Sequence, residues 1–233
     1  MKDIGDRMKN FYEAPARHEL VRRTPVIVRV DGRAFHTFTT HMQKPFDQIL
    51  MDAMNAGAYA VSQEMQGFKA AYIQSDEASF LLTDYDTLQT SAWFGYVKAK
   101  VETICASVMT AAFNGAIAPH TSRPAHFDAR AFNIPRAEVA NYFLWRAKDW
   151  NRNSVSMLCS SVYSHRAMYG KGRADQHEML HEKGLNWADL DDREKNGTWI
   201  IGENVLCTIR DNYDEIYAAL QPLIDCDQEV ECA

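Results

Sequence analysis

No run of this sequence approaches 18 consecutive apolar residues, the length that marks a membrane-spanning helix. The amino-terminal stretch MKDIGDRMKNFYEAPARHEL alternates charges with single apolar residues and holds no apolar core of signal-peptide length. A cytoplasmic protein without membrane association is therefore expected. Cysteine is scarce and shows no framework: the five, an odd number at scattered positions, form no CxxC pair, although Cys207, Cys226 and Cys232 crowd the carboxy end. Reduced thiols are expected. An excess of positive charge is also missing. Lys and Arg total 25 against 31 Asp and Glu, a net charge of −6, which argues against indiscriminate coating of nucleic acid, because phosphate neutralisation drives that binding. A local basic groove is still allowed, with candidates at Arg22, Arg23, Arg29, Arg33, Lys98, Lys100, Arg146, Lys148, Arg152, Arg166, Lys171 and Arg173. Repeats, low-complexity tracts and Gly/Ser linkers are absent too, so residues 1–233 read as one domain.

What is present alternates in type. PVIVRVDG (25–32) is a β-branched run closed by Asp-Gly, and PFDQILMDAMNAGAYAVSQEM (45–65) has helical apolar spacing after Pro45. AAYIQSDEASFLL (70–82) reads as strand, tight polar turn, strand. A long helix is expected over 91–114, a strand over 124–132, helix over 136–150 continuing through 153–163, and a last short strand over 196–202. Strands interleaved with long helices, two of them joined by a direct hairpin, imply an α+β fold: an antiparallel or mixed sheet covered by helices on one face.

One stretch imitates a zinc peptidase. In HEMLHEKGLNW (177–187), His177 and His181 share a helix face with Glu178 between them. A metzincin-like site needs a third imidazole three residues after the glycine, where this chain has Trp187, whose only polar atom is a donor. The segment reads instead as a solvated helix. Met179 and Leu180 touch the core, Gly184 caps it in a left-handed conformation, and Leu185 and Trp187 pack behind.

Two acidic sites interrupt apolar strands. Asp31 ends VIVRV, and Asp76-Glu77 occupies the turn between AYIQS and ASFLL. Asp-Gly and Ser-Asp-Glu are also ordinary turn residues. If the strands are neighbours, however, Asp31 and Asp76 meet at one sheet edge, where two carboxylates can hold a pair of Mg²⁺ ions about 4 Å apart for in-line phosphoryl chemistry. Arg33 and Lys44 lie close in sequence to meet phosphate.

These residues belong to longer strings. RVDGRAFHTFT (29–39), the KP at 44–45, YIQSDEASFLL (72–82), HFDARAFNIP (126–135), WRAKDWNRNSVSM (145–157) and the KNG at 195–197 together resemble the histidine-tRNA guanylyltransferase family, in order and over nearly the whole chain. The resemblance implies a single palm-like domain, similar to that of polymerases, with a C-terminal extension of helix and strand. It also implies nucleotide addition to the 5′ end of tRNA in the 3′-to-5′ direction, with ATP and GTP as substrates and a homotetramer as the assembly. By the same resemblance Asp31 and Asp76 are ligands of two Mg²⁺, the Gly32 carbonyl is a further ligand, and Glu77 is an acidic neighbour needed for activity. Arg33, Ala34, Phe35 and His36 would offer backbone N–H groups to a triphosphate, helped by Lys44 and Ser75, with Lys100 also meeting phosphate. Asn153 and Lys195 fall at positions associated with the nucleotide or the RNA end, to which Arg29 and Arg152 are added.

The chain departs from the eukaryotic pattern at one place. Where dedicated histidine-tRNA enzymes carry His-Ile-Asn-Asn, it has Asn151-Arg152-Asn153-Ser154, a form similar to the bacterial and archaeal guanylyltransferase-like branch. That branch implies templated repair of truncated 5′ ends. A dedicated histidine-tRNA role and a non-catalytic RNA-binding relative are the alternatives.

Overall fold

The computed structural model describes residues 3–202 and 205–225. In chain order the elements are α1 (Ile4–Met8), β1 (Val26–Gly32), α2 (Phe35–Phe38), α3 (Gln48–Glu64), β2 (Phe68–Gln74), β3 (Glu77–Leu82), α4 (Lys98–Ile117), β4 (Phe127–Asn133), α5 (Val139–Val162), α6 (His165–Met168), α7 (Arg173–Glu182), α8 (Asp192–Asn196), β5 (Thr198–Ile201), β6 (Val205–Cys207) and α9 (Tyr213–Ile224). The strands form one sheet in the order β4-β1-β3-β2-β5-β6, and every neighbouring pair is antiparallel. The β1–α3–β2–β3–α4–β4 portion is the split βαβ arrangement of a palm-like α+β domain.

Strand alternation explains the layers, because successive side chains point to opposite faces. Val26, Val28 and Val30 of β1 join Phe80 of β3 and the buried faces of α3 and α4 in one core. Ile27 turns the other way and packs with Leu81, Trp199, Phe143 of α5 and Leu220 of α9 in a second core. Helices therefore cover both faces of the sheet, not one as expected. The second cover is contributed by helices after β4, whose destination no local periodicity specifies. A third, smaller core of Val155, Leu158, Cys159 and Leu180 ties the α6–α8 segment to the end of α5.

The helix expected from residue 91 starts at Lys98. Trp93–Tyr96 instead form a 3-10 turn in which Phe94, Gly95 and Tyr96 have positive φ. Trp93 and Tyr96 are buried here as anchors of a turn that pairs with an earlier segment: Leu20 N–H donates to the Tyr96 carbonyl and Lys98 N–H to that of His18, both at 2.9 Å. The strand at Thr198–Ile201 is followed by one more, β6. The zinc-like stretch behaves as the solvated helix predicted: Leu180 is buried, Met179, Leu185 and Trp187 pack around it, and Gly184 has φ 69°. The edge of His177 meets the Trp187 ring at a centroid distance of 6.2 Å. Cys105 and Cys159 are buried free thiols, and Cys226 and Cys232 lie outside the described residues. Among the described residues no helix is long and apolar enough to cross a membrane.

Candidate active site

Two chain segments build the acidic edge. β1 ends at Asp31-Gly32, and Ser75-Asp76 form the two-residue turn between β2 and β3. Register brings them together: Asp31 lies opposite Glu77 across the β1–β3 pair, and Gly32 N–H donates to the Asp76 carbonyl at 2.9 Å. Ser75 adopts φ 49°, a conformation uncommon for a residue with a side chain, and its hydroxyl donates to Asp76 Oδ1 at 2.9 Å.

Gly32 admits no side chain, because a Cβ there would lie 2.3 Å from the Phe35 ring. Phe35 is itself clamped by Phe38, Phe113 and Phe127 at 5.1, 5.6 and 5.1 Å. The strand end, the turn and the aromatic wedge thus form one packed unit.

The electrostatics favour a bound cation. Burial raises the pKa of the Asp76 carboxyl above its ordinary value; the Ser75 hydrogen bond opposes this, and the nearby charge of Asp31 adds to it. The nearest cation to Asp31 is Arg130, 3.9 Å away and half-exposed. A buried carboxylate at Asp76 beside a second one at Asp31, with Arg130 no nearer than 3.9 Å to Asp31, is a donor set for a hard cation. Among the described residues no cluster of three His, Cys, Asp or Glu side chains could hold a metal. Mg²⁺ fits nonetheless, since it commonly takes one or two carboxylates and completes its shell with substrate phosphates and water.

Beside this edge opens a cavity of about 540 Å³, a size typical of small-molecule sites. Gly32, Ala34, Phe35, His36, Lys44, Ser75 and Asp76 all line it, so seven of the sequence-predicted residues converge there. Asn55, Gln74, Trp150, Met157 and Arg193 complete much of the wall and were not predicted from the sequence.

Other predicted residues have different surroundings. The Arg33 N–H is committed to the His126 carbonyl at 2.8 Å, because the β1–β4 pairing continues past Gly32, so Arg33 is not a free backbone donor. Glu77 is held by a bidentate contact with Arg146, Nε to Oε1 at 2.7 Å and Nη2 to Oε2 at 3.0 Å. Burial raises its pKa and the Arg146 charge opposes the rise. Arg29, assigned to the RNA end, lies in the same cluster, 3.9 Å from Glu77. Arg146, assigned from sequence to a basic groove, is buried in this ion pair; its spacing of three from Asp149, which it also contacts at 3.1 Å, was the available signal. Arg152 pairs with Asp149, and Asn153 faces a second cavity. Lys195 turns into its own loop, donating to the Ala188 carbonyl at 2.9 Å. Lys100 is exposed at the start of α4, the end of that helix that meets the last residues of β4, whereas Asp31 and Asp76 lie by the first. Within one chain it is not brought to the cavity.

A family profile described as tRNAHis guanylyltransferase (Thg1) matches residues 5–135. The chain belongs to the tRNAHis guanylyltransferase family. The match contains RVDGRAFHTFT, YIQSDEASFLL and HFDARAFNIP, and thus the whole acidic edge. Among solved structures the chain is similar to a bacterial tRNAHis guanylyltransferase (Thg1)-like protein in complex with ATP, with 37% identity, a TM-score of 0.87 and coverage of 97% of this chain and 100% of the other. A bacterial Thg1-like protein in complex with GTP gives 36% identity, a TM-score of 0.82 and coverage of 95% and 98%. A probable tRNAHis guanylyltransferase from Drosophila melanogaster is 28% identical over 78% of this chain and 68% of its own length. The chain spans 38% of a longer Arabidopsis thaliana relative. The family is one of nucleotidyltransferases, and its fold is the palm-like sheet described above.

Proposed function

We propose that this chain is a metal-dependent nucleotidyltransferase that adds nucleotides to the 5′ end of tRNA in the 3′-to-5′ direction, with selection of the added base by an opposing template strand. The observation that carries the reading is the meeting of Asp31 and Asp76, from separate segments, beside a cavity lined by Ala34, Phe35, His36, Lys44 and Ser75. The bacterial neighbours in complex with ATP and with GTP support a nucleoside triphosphate as the occupant.

Asp31, Asp76 and the Gly32 carbonyl would hold Mg²⁺, which when bound activates an attacking oxygen and neutralises phosphoryl charge. The chain's own contributions are positional. The first turn of a helix leaves its N–H groups without intrahelical acceptors, so Ala34, Phe35 and His36 present donors to phosphate while Lys44 adds a cation at the cavity wall. In the first step the RNA 5′-monophosphate attacks the α-phosphate of ATP or GTP and pyrophosphate leaves. In the second, the 3′-hydroxyl of the incoming triphosphate attacks the activated 5′-phosphate and the nucleoside monophosphate leaves. Watson–Crick pairing to the opposing strand supplies base selection, so no side chain needs to read the added base. The departure at Asn151-Arg152-Asn153-Ser154 favours this role over dedicated G addition to histidine tRNA. A single domain over 1–233, a cytoplasmic location and a homotetramer complete the proposal.

The test uses 5′-truncated tRNAs that differ only in the opposing base, each offered the four triphosphates in turn. Incorporation of the complementary nucleotide in every case supports templated repair. Addition of G regardless of the opposing base, and only to histidine tRNA, replaces it with the dedicated activity; no incorporation leaves a non-catalytic relative. Asp31→Asn and Asp76→Asn should each cost more than about a thousandfold in rate with the fold intact.

A further inference from the structure

A second cavity, about 690 Å³ in volume, adjoins the first and shares Ser75, Trp150 and Met157 with it. Ser75 carries the hydrogen bond to Asp76, so this cavity reaches the same acidic edge from the side of α5 and α6. Its remaining wall is polar and aromatic: Asn153, Ser156 and Ser160 on α5, Tyr163 and Tyr169 flanking α6, and His165 within it. No Lys, Arg, Asp or Glu lines it among the described residues.

Two features narrow the occupant. Tyr169 is 83% exposed, an aromatic ring left in solvent at a cavity rim and packed in none of the three cores. The turn that presents it is braced, with the Ser164 hydroxyl accepting from Ala167 N–H at 3.3 Å and Lys171 N–H donating to the Met168 carbonyl at 3.1 Å. Such a ring offers a base a stacking platform, which tolerates any sequence because every base has a π-face. The hydroxyls are also non-selective. Ser156 donates to Gln176 at 2.9 Å and Ser160 to the Met157 carbonyl at 2.9 Å, which leaves their oxygens as acceptors towards sugar or base. A triphosphate, by contrast, would find no lysine or arginine in this wall.

We infer that the second cavity receives a nucleoside, that of the 5′-terminal nucleotide of the RNA, stacked on Tyr169 with its 5′-phosphate directed past Ser75 to the acidic edge. This rests on the proposed 5′-end chemistry and adds the place where the RNA end is held. Stacking and serine hydroxyls do not select a base, so the part of the grip that they supply leaves the choice of the added nucleotide to the template.

The experiment places 2-aminopurine at the 5′ terminus of a truncated tRNA and titrates it with full-length protein, wild type, Tyr169→Ala or Tyr169→Phe. Wild type and Tyr169→Phe should quench the fluorophore. Tyr169→Ala should not, and should weaken RNA binding about tenfold or more while leaving the KM for ATP unchanged. Equal loss in the Ala and Phe variants, or unchanged RNA affinity in Tyr169→Ala, overturns the assignment. Tyr169-dependent quenching of free 2-aminopurine riboside triphosphate without RNA also overturns it, in favour of the incoming nucleotide as occupant. The binding readout needs no turnover, so Tyr169-dependent quenching by a wild-type protein that incorporates nothing would sink the proposed activity and leave the RNA-end site standing.

Discussion

Replacing Arg146 with Gln should destabilise the protein through a carboxylate that sits next to the reacting edge. Arg146 and Glu77 have side chains 9% and 13% exposed, and their two contacts of 2.7 and 3.0 Å make a forked pair. A third contact from Arg146 to Asp149, at 3.1 Å, fixes the guanidinium to its own helix, and the Trp145 ring lies 4.5 Å from it. Removing one partner of a buried ion pair costs about 3–5 kcal/mol, because here the surviving carboxylate is left with only Arg29, 3.9 Å away, to offset its charge. For a chain of this size each kcal/mol lowers Tm by about 2–4 °C, so a fall of roughly 6–20 °C is expected. The deficit should depend on pH. Burial already raises the Glu77 pKa against the pull of Arg146; without that pull the folded state holds the proton more tightly than the unfolded chain does. Stability from protonated Glu77 is then present at acid pH and lost as pH rises through its folded pKa, so the deficit grows from the ordinary carboxylate range towards neutrality. Adding Glu77→Gln removes the stranded charge, and the double variant should melt higher than Arg146→Gln alone. Thermal unfolding followed by circular dichroism at pH 5 and pH 7.5 measures all three. Strictly additive losses, or an Arg146→Gln protein as stable as wild type at pH 7.5, would refute the reasoning.

Two further perturbations probe the scaffold. Gly32→Ala introduces a Cβ 2.3 Å from a Phe35 ring that three other rings hold in place, so a loss of about 1–3 kcal/mol with a displaced Asp31 is expected; unchanged melting and unchanged incorporation would show that the aromatic wedge yields. The His177 pKa is lowered by burial and then by the charges of Arg173 and His181, so its contribution to stability is present above the usual histidine range and lost as pH falls through the folded value. An NMR titration should place its midpoint below that of a free histidine, and a midpoint at or above it would contradict the packing against Trp187.

Much of the fold could be read locally because local chemistry decides it. VIVRVDG is a strand that stops at Asp-Gly, and the Ser75-Asp76 hairpin is short enough that its flanking apolar runs have to pair. The start of α4 could not be read in this way. Trp93 and Tyr96 have the apolar character of a helix face, yet their burial serves a left-handed turn whose partner is the chain near Leu20, far away in sequence. The same limit applies to charge. A sequence shows that Arg146, Arg29 and Lys195 are basic, but whether a cation faces solvent, phosphate or a buried carboxylate depends on what tertiary packing places opposite it.

The Asn151-Arg152-Asn153-Ser154 stretch shows how the structure sharpens a sequence signal. On a helix these four positions cannot all face one ligand. Asn151 and Ser154 are buried, with the Ser154 hydroxyl donating to the Asn151 carbonyl at 3.0 Å and accepting from Trp187 Nε1 at 2.9 Å. Ser154 therefore ties the segment that carries α7 and α8 to α5, and a difference at that position changes packing before it changes recognition. Arg152 and Asn153 are exposed, and both contact Asp149, the residue that also engages Arg146. A continuous set of polar contacts thus runs from the outer face of α5 through Asp149 and Arg146 to Glu77, the neighbour of Asp76. Substitutions at Arg152 or Asn153 can reach the acidic edge by two routes, directly through the second cavity that Asn153 lines and indirectly through Asp149. The routes separate experimentally, because a change transmitted through Asp149 must also move the pH dependence of Arg146–Glu77 stability, and a change confined to the cavity must not.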